Sequence, residues 1–76
     1  MPHNCGPARV AVHRCERAVS DLRTKISQNE EFLVSHPHDA AVQNRLRQLR
    51  TEYQAAQSQL NMAEEALANC EAQNEH

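Results

Sequence analysis

Residues 35–39 read Ser-His-Pro-His-Asp and stand between two long stretches that carry the same apolar rhythm. Pro37 disfavours helical geometry at the residue before it and suits the first turn of a helix that follows. Asp39 is expected inside that first turn, where a carboxylate meets the positive end of the helix dipole. Upstream, Gly6-Pro7 gives a comparable start to an earlier helix. The stretch therefore predicts a turn between two helices: helix 1 over about 7–35, the turn at about 36–37, helix 2 over about 38–73. Residues 1–6 are read as an N-terminal arm and 74–76 as a tail, around a single hairpin domain. A connection this short between helices this long implies that they run antiparallel.

Working outward from the turn, the apolar positions keep one period on both sides. In helix 1 they are Ala8, Val12, Cys15, Val19, Leu22, Ile26, Asn29 and Leu33, in alternating steps of four and three. In helix 2, Val42, Leu46, Leu49, Tyr53, Ala56, Leu60, Ala63, Leu67 and Cys70 do the same. That mean spacing is the period of a left-handed coiled coil. Composition agrees: one glycine, prolines only at 2, 7 and 37, and no β-branched runs bounded by turn residues. The fold expected is all-α, a two-helix antiparallel coiled-coil hairpin.

A chain that turns near Pro37 sets opposite each other the seam residues whose numbers sum to 75. Leu33 then meets Val42, Ile26 meets Leu49, Leu22 meets Tyr53, Val19 meets Ala56 and Val12 meets Ala63. Lys25 and Glu52 fall on one flank and are expected to pair. Asn29, opposite Leu46, is the polar intruder; it is either a partly exposed residue near the turn or a selector of register, as buried Asn is in coiled coils. Two helices alone bury too little to offset about 1.5 kcal/mol of ordering entropy per residue. A staple, self-association or a partner is therefore expected to help. Ala11, Ala18, Phe32, Ala55, Met62 and Ala66 form a second, weaker apolar margin. It suits close packing of a second hairpin into a dimeric four-helix bundle, the simpler reading being alanine on a solvated helix.

The chain has three cysteines, so at least one is unpaired in a monomer. Cys5 and Cys70 belong to the sum-75 set and are expected to bridge at the open end. Closing about 65 residues stabilises by roughly 4 kcal/mol in the chain-entropy model. Cys5 precedes Gly6-Pro7, so its place on the seam is an extension of the pattern. Cys15 falls opposite Leu60 and is read as a core thiol, a small hydrophobe.

Nine residues separate Cys5 from Cys15, in the stretch CGPARVAVHRC. That spacing resembles half of the twin Cys-x9-Cys pattern of the coiled-coil-helix-coiled-coil-helix proteins of the mitochondrial intermembrane space. In that family two such helices form a hairpin with an outer and an inner disulfide. Cys70 stands where the outer partner belongs; the inner partner's place is taken by Leu60, and the helices are longer than is usual there. The resemblance implies a structural or assembly role and not catalysis.

His3, Cys5, Cys70 and His76 converge at the open end in this register, a donor set that suits zinc. They lack compact C-x2-C or H-x3-H spacing, so no metal or other cofactor is expected. His36 and His38 are read as turn residues and His13 as solvated. No nucleophile elbow, glycine-rich phosphate loop or His-Glu-x-x-His pattern is present, and an enzyme is not expected. Arg9, Arg14 and Arg17, and again Arg45, Arg47 and Arg50, are interleaved with glutamates and have no aromatic platform. With a net charge of −2, they read as a solvated face and not as a nucleic-acid site.

No run approaches the roughly 18 apolar residues of a membrane span, and MPHNCGPARV lacks the plan of a signal peptide. The cytoplasm is the default compartment, an oxidising one if Cys5 and Cys70 are bridged. The function expected is a small protein–protein interaction module (an adaptor, an assembly subunit, or an inhibitor of the phage or plasmid type) that binds by a helix face and self-associates. Phe32, Tyr53, Met62, Arg45, Arg47 and Arg50 are its candidate contacts. The alternatives are a disulfide-stapled assembly protein of the intermembrane space, and a zinc-binding or weak nucleic-acid-binding hairpin.

Overall fold

The proline turn does divide the chain into two helices, but they start where capping side chains put them. In the computed structural model, which describes residues 4–74, α1 spans Gly6–Ser35 and α2 spans Ala40–Asn74. Pro37 and His38 occupy the centre of a tight turn closed by Asp39 N–H donating to the His36 carbonyl at 3.2 Å. Proline's fixed φ suits the second place of such a turn. Asp39 follows as the N-cap: its Oδ1 accepts from Val42 N–H at 3.1 Å, and its carbonyl accepts from Gln43 N–H at 3.0 Å. α2 therefore begins two residues later than the sequence predicts. Asp39 caps the helix from outside, because its side-chain oxygen satisfies an amide that the first turn leaves without a partner. Gln43 Nε2 also donates to the Pro37 carbonyl at 2.7 Å and ties turn to helix.

α1 starts one residue earlier than expected. Cys5 is its N-cap without a capping hydrogen bond from its own side chain. Asn4 takes over that role, its Oδ1 accepting from Gly6 N–H at 2.9 Å. The Cys5 carbonyl accepts from Arg9 N–H at 3.0 Å, which continues the helical ladder back to the cysteine. α2 runs to Asn74, one residue past its expected end.

Helices of 30 and 35 residues pack side by side into a rod of 59 × 14 × 13 Å. Every seam position named from the sequence is buried or half-buried; the other described residues that escape full exposure are Cys5, Gly6, Asp39 and Gln57. The covering is uneven along the rod. Val19, Val42, Leu46, Leu49 and Ala56 are buried, and all lie at or on the turn side of the level where Val19 meets Ala56. Beyond that level Ala8, Val12, Cys15, Leu60, Ala63 and Leu67 are half-buried, and Cys5 alone is fully covered. There a large residue faces a small one, so each level has less side chain with which to cover itself.

Asn29 is half-buried and turns back onto its own helix, donating from Nδ2 to the Lys25 carbonyl at 2.7 Å. That is the plainer of its two readings. Its amide is satisfied locally and makes no hydrogen bond across the seam.

Candidate functional site: a stapled end and two unlike flanks

Cys5 and Cys70 are the two seam positions farthest from the turn, and the helices bring them to disulfide geometry. Their Cα atoms are 6.0 Å apart and the sulfurs 2.07 Å. Sixty-five residues separate them in sequence, so one residue of slip in either helix would rotate a cysteine off the seam. The register read from the turn therefore holds to the far end. Asn74 Nδ2 lies 3.4 Å from Cys5 Sγ and shields the bridge on one side. Cys15, which the sequence places in the core, is a free thiol and half-buried.

The two sides of the seam differ. One flank consists of the positions directly after Ala8, Cys15, Leu22 and Asn29 in α1, and after Val42, Leu49, Ala56, Ala63 and Cys70 in α2. It carries Arg9, Glu16, Arg23, Glu30, Arg50, Glu64 and Glu71, with Gln43 and Gln57. Here the helices reach across to each other. Arg50 Nη2 meets Glu30 Oε2 at 3.2 Å, Arg9 Nη2 stands 4.0 Å from Glu71 Oε2, and Arg23 Nη2 donates to Tyr53 Oη at 3.3 Å. That last hydrogen bond raises the already high pKa of Arg23. The side chains of the two ion pairs are more than half exposed, and such solvated pairs stabilise by about 0.2–1 kcal/mol each. Their value here is positional, since they mark a closed flank.

The opposite flank consists of the positions directly before Val12, Val19, Ile26 and Leu33 in α1, and before Leu46, Tyr53, Leu60 and Leu67 in α2. It carries Ala11, Ala18, Lys25 and Phe32 from α1, and Arg45, Glu52, Gln59 and Ala66 from α2. Ala55 and Met62 border it on α2. All ten are exposed, Met62 at 68% and Phe32 at 42%. The expected Lys25–Glu52 pair is absent: the ion pairs that form across the hairpin use the other flank. Among the described residues no side-chain hydrogen bond or ion pair crosses between the helices on this side. Of the alanine margin read from the sequence, Ala11, Ala18, Phe32 and Ala66 lie on this unbridged flank, and Ala55 and Met62 border it.

The contact candidates do not gather into one patch. Phe32 and Arg45 sit near the turn on the open flank, Met62 borders that flank farther along, Arg47 lies on the outer surface of α2, and Arg50 is engaged by Glu30 on the closed flank. Tyr53 is half-buried, its ring on the seam and its hydroxyl held by Arg23. Phe32 is pre-set by a stack with His36, ring centroids 4.3 Å apart and planes 12° from parallel. His13 is solvated with Nδ1 3.3 Å from Glu16. His3 and His76 lie outside the described residues, and among the described residues no three His, Cys, Asp or Glu side chains are grouped to hold a metal ion. An open groove on the outer face of α1 is lined by Val10, His13, Arg14, Glu16, Arg17 and Ser20, away from the staple. Among the described residues no helix is long and apolar enough to cross a membrane.

Compared with protein-family models, with characterised proteins and with solved structures, the chain matches none of them.

Proposed function

We propose that this hairpin is a non-catalytic protein-binding module that works by bundle completion, offering its open flank to helices of a protein partner. The observation that carries the reading is the contrast between the flanks. Cross-helix polar contacts close one side, while the other presents alanines, Phe32 and Met62 with a half-buried seam behind them. Small side chains permit close approach of a docking helix, and a two-helix layer leaves its seam uncovered until such a helix arrives. The alternating buried positions support describing the pair as an antiparallel coiled coil, with surface occlusion of the partner as the mechanism.

A photo-crosslinking residue tests this reading. Placed at position 62, on the edge of the open flank, it is expected to capture a protein in cells that produce the chain. Placed at position 10, on the outer face of α1, it is expected to capture none. Equal capture at both positions, or none at either, overturns the reading.

A structural and assembly role in an oxidising compartment is the second reading, favoured by the Cys5–Cys70 pair. It makes the same flank the docking surface and differs in where the protein works. Non-reducing mass analysis of the protein taken directly from its native compartment decides it. A bridged Cys5–Cys70 is expected, and three free thiols would exclude it.

A further inference from the structure

We infer that the occupant of the open flank is a second copy of this chain, related by a two-fold axis along the rod so that both turns lie at the same end. The inference rests on the flank reading above and names its partner. In this arrangement α1 of one copy lies beside α2 of the other, every neighbouring pair of helices is antiparallel, and like helices sit diagonally across the bundle. Intramolecular neighbours then meet through the closed flank, where Arg9–Glu71 and Arg50–Glu30 are already made. Intermolecular neighbours meet through the open one.

Charge complementarity supports this geometry. Facing seam residues have numbers that sum to 75, so Lys25 and Glu52 differ in level by two residues, about 3 Å along the axis. Neither charge takes a cross-helix partner within its own chain. With the turns together, Lys25 of each copy lies beside Glu52 of the other, Phe32 beside Arg45, Ala18 beside Gln59 and Ala11 beside Ala66. Two opposite-charge pairs form, two aromatic–guanidinium contacts form, and alanines meet where the seam is thinnest. With the turns at opposite ends, Lys25 comes level with Met62 and Ala63 and gains no counter-charge, Phe32 and Arg45 are parted, and Glu52 meets only Arg14 at the border of the flank. The flank runs the length of a 59 Å rod.

Sedimentation equilibrium of the disulfide-intact chain is the first test. Twice the chain mass is expected at micromolar concentration, and a single-chain mass up to several hundred micromolar overturns the inference. Lys25→Glu and Glu52→Lys each place like charges together and are expected to weaken dimerisation at least several-fold. The double variant restores the pairing with its signs exchanged and is expected to recover most of the loss. No loss, or no recovery, removes the proposed pairing. Ala11→Glu changes an exposed residue of the hairpin and is expected to give a monomer with an unchanged helical circular-dichroism spectrum; a persistent dimer overturns the flank. Spin labels at position 38, in a Cys15→Ala background, read the orientation. A separation under roughly 30 Å fits turns at one end of a bundle with helices 8–10 Å apart, and one near the 59 Å rod length places them at opposite ends and overturns it. The crosslink at position 62 separates the two readings. An adduct of twice the chain mass supports both, an adduct with a different protein keeps the function and overturns the second copy, and no adduct overturns both.

Discussion

The rod has two halves held together by different means. Near the turn, Val19, Val42, Leu46, Leu49 and Ala56 are buried and the connection is short, tied by Asp39 and Gln43. Toward the open end the seam is built of alanines, Val12, Cys15 and two leucines, all half-buried, and the helices would be free to part but for Cys5 and Cys70. The first half is held by packing and by the low entropy of a short loop. The second is held by covalent closure at the place where packing is weakest. The comparison teaches where a thin hairpin needs its staple: at the greatest distance from the turn, where the loop it closes is longest and its effect on the unfolded chain greatest.

Five substitutions test that contrast. Cys70→Ser has the largest expected effect, a loss of about 4 kcal/mol from removing a bridge across 65 residues. Thermal unfolding with and without reductant measures it. Hydrogen exchange adds the spatial test, with amides of residues 8–15 and 60–70 exchanging first while those of 22–33 and 42–53 keep their protection. A uniform acceleration would erase the distinction between the halves.

Leu46→Ala follows, at roughly 2–4 kcal/mol, because it empties a buried position. Leu67→Ala, which is half-buried, is expected to cost about half as much, as read from urea unfolding midpoints of the two variants. Equal losses would mean that the open half packs as well as the turn half. Asp39→Ala removes the α2 cap for about 1 kcal/mol, and loosened exchange confined to the first turn of α2 marks it as local. Glu30→Gln is the smallest change, under about 1 kcal/mol. Its effect is expected to vanish in high salt, since both side chains of the Arg50 pair are more than half exposed.

Much of this fold was legible because a heptad seam is a one-dimensional property. Whether Leu22 or Arg23 faces the neighbouring helix depends on residue spacing and helical pitch, both available without coordinates. The Cys5–Cys70 pairing followed from the same arithmetic once Pro37 marked the turn. The misreadings have local causes. The sequence puts Asp39 inside the first turn of α2, whereas its side chain caps that turn from outside. The start of α1 was set by Asn4, whose capping of Gly6 is a side-chain event that apolar periodicity does not register. Lys25 and Glu52 share a flank and nearly a level, yet the charged contacts close on the other side.

The sequence by itself determined that there are two helices, where they turn, which residues line the seam between them, and that the first and last cysteines meet. Repetition and chain connectivity suffice for these, since each depends on distance along the chain. Only the tertiary structure decided that the side of Arg9, Arg23 and Arg50 is bridged and that the side of the alanines, Phe32, Lys25 and Glu52 is not. That choice depends on how the two helices are rotated toward each other and how far their long side chains reach, which are three-dimensional quantities. The candidate site lies on that flank, whereas Arg47 and Arg50, which the sequence also offers as contacts, lie elsewhere on the rod. The flank itself became visible once the helices were paired.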